Sequence, residues 1–130
     1  MYALIDRPVS SLQADDRFLL DAMRAWVHAL TLAGDPGGAV ARGFSAGGMA
    51  DGHAAFDRAM HALDRGSIET LTFQRPCHPV VEEDEAVVLA IWKLVRADRI
   101  AAATTAAQVL VTPAAATAMV RAMAGCPTPA

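Results

Sequence analysis

Leu19, Met23, Trp26, Leu30 and Ala33 recur at alternating steps of four and three, the spacing that lines side chains along one face of an α-helix. Arg17, Asp21, Arg24, His28 and Thr31 repeat those steps on another face. The pattern predicts an amphipathic helix over residues 14–33, with the second face in solvent and Gly34-Asp35-Pro36 as its stop. Seven of the nine glycines follow between positions 34 and 52. Glycine is costly to order, so this stretch is expected to be a Gly-rich loop. A second helix is predicted over residues 51–65, with Phe56, Met60 and Leu63 on its apolar face and Gly66 placed to end it. Residues 68–75 are richer in β-formers, and Pro76 and Pro79 restrict the backbone beyond them. This stretch reads as an extended connector or a short strand.

A third helix is predicted over residues 81–97. Glu82, Glu83, Asp84 and Glu85 fall in its first turn, while Lys93 and Arg96 fall near its end, as the helix dipole favours. Residues 86–92 are uninterrupted apolar sequence, so this helix is expected to be buried around most of its circumference, at the centre of the fold. Asp98 is placed to cap a fourth helix over residues 99–110. Thr112 followed by Pro113 is a strong start for a fifth over residues 113–124, which Gly125 ends. The predicted fold is therefore all-α: a compact bundle of about five helices with a Gly-rich loop and a short extended connector. The whole of 1–130 is expected to form one domain, with residues 1–13 and 126–130 poorly ordered.

Composition narrows the picture. A chain of 130 residues that is 54% hydrophobic has material for one core, and its abundance of alanine favours helices. A formal net charge of −3 supplies no global positive field, which disfavours nucleic acid and anionic membranes as partners. Cys77 and Cys126 lie far apart and suggest no disulfide scaffold, so a cytoplasmic, reducing location is expected. Asp6, Arg7, Pro8, Asp15 and Asp16 interrupt the start where an export signal needs an apolar run. No charge occurs between Arg99 and Arg121, but the gap is mostly alanine and threonine, and Pro113 interrupts it. Two buried helices are expected there rather than a membrane span.

Several short motifs invite chemistry. Gly43-Phe44-Ser45-Ala46-Gly47 matches the nucleophile elbow of α/β-hydrolase esterases, with Asp57 or Asp64 and then His78 nominally available as partners. An elbow needs a buried strand before the serine, however, and here a Gly-rich stretch precedes it, so the motif reads as loop. Gly38 and Gly43 have phosphate-loop spacing, but Phe44-Ser45 follows where Lys-Ser or Lys-Thr is needed. Arg75-Pro76-Cys77-His78-Pro79 holds a thiol and an imidazole on a stiff turn close to the acidic helix start. Cys77 and His78 are thus candidate ligands for zinc, or Cys77 a reactive thiol. Lacking a second Cys/His pair, the set is incomplete, and a rigid turn leading into a helix whose first turn happens to be acidic is the simpler reading. His53, Asp57 and His61 repeat every four residues, but residues eight apart are about 12 Å separated along a helix axis; a solvated polar face is the simpler reading. The last two predicted helices suggest a helix-turn-helix, yet the second offers only Thr117 and Arg121 to base edges.

Over residues 18–94, an amphipathic helix, a Gly/Ala-rich segment, a second helix, an Arg-Pro-Cys turn and an Asp-Glu helix start follow in order. This order resembles a family of small bacterial proteins of unknown function, in which a cysteine-rich turn precedes the acidic helix start. The resemblance implies the helical fold and no activity. Where such relatives carry several cysteines this chain has Cys77 alone, which weakens any metal site carried over. The leading expectation is a non-enzymatic helical protein acting through protein contacts, as a homo-oligomer, because so apolar a chain leaves hydrophobic helix surface to cover. The alternative is a metal- or thiol-dependent protein using Cys77 and His78.

Overall fold

A computed structural model describes residues 4–127. Six α-helices carry the architecture: α1 Ala14–Thr31, α2 Pro36–Ala46, α3 His53–Gly66, α4 Glu83–Arg96, α5 Ile100–Ala107 and α6 Pro113–Ala124. The described residues form no strand, only two isolated antiparallel bridges, Pro8 with Val80 and Ser67 with Val111. The all-α class is as expected. No helix among the described residues is long and apolar enough to cross a membrane.

The sixth helix, α2, lies where the glycines predicted a loop. Pro36 at its first turn needs no backbone donor there. Its three glycines, at 37, 38 and 43, cost about 1 kcal/mol each against alanine. Burying Val40 and Phe44, at 2% and 0% exposure, returns about 1.5–3 kcal/mol each. Tertiary packing therefore outweighs propensity. Phe44 packs edge-on against Phe18, with ring centroids 5.0 Å apart, and lies 5.3 Å from Phe56, which stacks on Trp92 at 5.7 Å. This aromatic row runs from α1 through α2 and α3 into α4.

Helix α4 is buried along most of its length, from Glu85 to Val95, as its apolar run implied. α3 and α6 form the most extensive helix pair. Gly66 is the last residue of α3 rather than the position beyond it. A side chain there would overlap the Cβ of Ala115 on α6, so the glycine permits the close approach of the two helices. Thr112 caps α6 as predicted, its hydroxyl accepting the Ala115 amide at 3.3 Å. Asp98 does not cap α5: it adopts a positive φ of 59°, and Arg99 occupies the cap position.

The start of the chain, expected to be poorly ordered through residue 13, is pinned over residues 4–12. Leu4 and Val9 are buried. Val9 donates to the Pro79 carbonyl at 2.8 Å, Asp6 to that of Val81 at 2.9 Å, and Val81 back to Arg7 at 3.0 Å. At the other end, Cys126 packs against the core. Residues 1–3 and 128–130, also expected to be poorly ordered, lie outside the described residues.

Candidate functional site

The most organised polar arrangement is centred on two side chains with 0% exposure, Arg24 of α1 and Glu85 of α4. Arg24 Nε meets Glu85 Oε2 at 2.7 Å and Nη2 meets Oε1 at 2.8 Å, a two-pronged pair. Nη1 and the second N–H of Nη2 reach the carbonyls of His78 and Val80, each at 2.8 Å. Glu85 also accepts the amides of Gln74 and Glu82, each at 3.0 Å. The two charges thus satisfy each other while fixing both ends of the turn segment, residues 74–82, that joins the connector to α4. An isolated buried charge is costly, and a fully hydrogen-bonded pair avoids most of that cost.

Arg24 was expected on a solvated face, and the structure corrects this. The buried face of α1 comprises Asp16, Leu19, Leu20, Met23, Arg24 and Trp26, so it is two residues wide. Asp16 and Arg24 sit one turn to either side of Leu20. The signal was present in the adjacent pair Leu19-Leu20, which a single line of apolar residues does not use. Glu85 was expected to serve the helix dipole, yet it continues the buried stripe of Leu89 and Trp92 by one turn. Asp16 has its own partners: Arg96 at 2.9 Å and Lys93 at 3.4 Å, with Asp15 also 2.9 Å from Arg96.

Burial alone would raise the Glu85 pKa. The hydrogen bond from Arg24, the amides of Glu82 and Gln74, and the Arg24 charge outweigh burial and hold the carboxyl below its ordinary value of 4.5. A lowered carboxylate pKa contributes stability that is fully present above the unfolded value and is lost as pH falls through the folded one. The stability gap between the native chain and Glu85→Gln is therefore expected to be constant near neutrality and to shrink below about pH 4.5. Urea midpoints measured from pH 7 to pH 3 check this; a gap that widens on acidification contradicts it.

The sequence-level candidates are placed as follows. Cys77 is exposed on the turn that Arg24 holds, and His78, part-exposed, directs Nε2 to Glu82 at 3.9 Å. Among the described residues no three His, Cys, Asp or Glu side chains are grouped to hold a metal, so the structure gives Cys77 and His78 no third ligand for zinc. Cys126 lies elsewhere, its thiol 3.8 Å from the Gly52 carbonyl, and burial pushes its pKa up to about 11. A thiol reagent at pH 8 is expected to modify the exposed Cys77 at least tenfold faster than Cys126, because the thiolate is the reacting form. Mass spectrometry of the labelled chain over time checks this; equal rates contradict it.

Ser45 stands exposed in the last turn of α2, not on a strand-to-helix elbow. Asp57 accepts the Trp26 indole N–H at 2.8 Å and lies 3.5 Å from His61, whose ring meets Trp26 edge-on. His53 is turned to the Ala50 carbonyl at 2.8 Å. The polar face of α3 therefore braces Trp26 and does not gather ligands.

A cleft of about 230 Å³ opens between α1, α3 and the connector, lined by Trp26, Leu30, Met60, Leu63, Leu71 and Phe73. Around it, apolar side chains stay in solvent: Leu30 at 39%, Ile68 at 60% and Val109 at 60% exposure. Leu30 was expected to face the core; it lies at the rim of the cleft, near the end of α1. No known protein family, curated protein or solved structure matches this chain.

Proposed function

We propose that this chain is a non-catalytic helical protein of the cytoplasm that works through protein contacts and associates with copies of itself. The supporting observation is the apolar band along the connector. Leu30, Leu71, Ile68 and Val109 line two adjoining depressions that share Thr70 and Leu71. Single exposed apolar residues are ordinary, whereas several grouped along adjoining depressions suit a contact surface. The free thiols of Cys77 and Cys126 fit a reducing compartment. Sedimentation or light scattering across a concentration series is expected to show a discrete dimer or higher oligomer. A strict monomer at every concentration contradicts the proposal.

A thiol-dependent role for Cys77 is the second reading. It is favoured by the exposure of that side chain on a turn whose carbonyls are fixed by a buried arginine.

A further inference from the structure

The connector has an unused backbone edge. Ile68 donates its amide to the Leu110 carbonyl at 2.9 Å, and the next backbone-to-backbone bond is His78 to Arg75 at 3.0 Å. Among the described residues, no backbone-to-backbone bond involves residues 69–74. Two of their amides are nevertheless satisfied from one side: Thr72 bonds the Asp84 carboxylate at 2.6 Å and Gln74 that of Glu85 at 3.0 Å. Both acceptors are on α4. Alternate amides of an extended chain point in opposite directions. The amides and carbonyls of Leu71 and Phe73 therefore face away from α4, where no other backbone group among the described residues pairs with them. An extended edge of this kind is a template for a further strand.

We infer that the self-association proposed above runs through this edge, residues 70–74 pairing antiparallel with the same residues of a second copy. The pattern of the segment selects that occupant. In a two-fold pairing centred on Thr72, Leu71 faces Phe73 of the other copy, Thr70 faces Gln74, and Glu69 faces Arg75. Odd positions then meet odd positions, so each outward amide finds an outward carbonyl. A register displaced by one residue sets outward groups against inward ones and forfeits the bonds. A parallel pairing in register stacks Glu69 on Glu69 and Arg75 on Arg75, whereas the antiparallel one joins opposite charges at both ends. Ile68, at 60% exposure, flanks the edge and would be covered by the same contact. The pairing is isologous, as closed dimers require.

This inference rests on the self-association reading, and a charge swap separates the two. Glu69 and Arg75 are both exposed, so reversing either leaves the core untouched. Each dimer contains the pair twice. Arg75→Glu, or Glu69→Arg, is expected to weaken dimerisation of the full chain about tenfold by sedimentation equilibrium at low salt. The double variant Glu69→Arg/Arg75→Glu should restore it to within about threefold of the parent. The Leu71 and Phe73 amides should exchange with solvent more slowly above the dimerisation midpoint than below it. A parent chain that stays monomeric overturns both the reading and the inference. An oligomer insensitive to either reversal, unrescued by the double variant, or showing no concentration-dependent protection at Leu71 and Phe73, overturns the edge pairing and leaves self-association standing.

Discussion

Arg24→Met is expected to destabilise the protein by about 3–5 kcal/mol, because it leaves the Glu85 carboxylate buried without its counter-charge. Small domains are held together by only about 5–15 kcal/mol in total, so this one change takes a large share of the whole. Methionine keeps the aliphatic stem of the arginine and its packing, so the loss comes from the guanidinium, its charge and its hydrogen bonds together. The loss extends beyond the pair itself. Arg24 also holds the carbonyls of His78 and Val80, and the second of these lies next to the bonds that pin residues 4–12. The start of the chain is therefore expected to lose protection together with the connector. Urea denaturation reads the stability change as a shift in midpoint at unchanged slope. Amide exchange at Asp6 and Val9 reads its spread. A change below about 1 kcal/mol, the scale of an exposed ion pair, would mean that the pair is solvated in solution.

Phe44→Ala is expected to cost about 3–5 kcal/mol, the range for removing a buried aromatic ring from a core. If residues 34–52 were the flexible loop that their glycines suggest, the same change would fall within about 0.5 kcal/mol, as surface substitutions do. The aromatic row predicts the larger value: Phe44 is the link between Phe18 on α1 and Phe56 on α3, and nothing else on α2 but Val40 is buried. Ser45→Ala, one position on and exposed, serves as the internal control and should be nearly neutral. Thermal or urea unfolding of the two variants checks both.

What the sequence made legible follows from how locally each feature is encoded. The cap Thr112-Pro113 and the apolar run of α4 are local signals, and both elements formed at those places. α2 was not legible because its driving force is non-local. Val40 and Phe44 supply only two anchors among three glycines, and their partners come from α1 and α3. Arg24 and Glu85 were individually visible as charges on helices but are separated by 61 residues, so nothing in either helix announced the other. A charged residue beside two adjacent buried leucines, and an acid in phase with Leu89 and Trp92, are the signals that a wider reading of the helical stripe would use. The motif at Ser45 is rightly refused as an elbow for want of a strand before it, but it lies on the helix α2 and not in the loop expected there.

The buried Arg24–Glu85 pair, as the joint between α1, the connector and α4, is measured most directly by a double-mutant cycle on Arg24→Met and Glu85→Met. The account expects the double variant to be no less stable than either single one, with a coupling energy of about 2 kcal/mol or more. Single losses that simply add, to within about 0.5 kcal/mol, would contradict it.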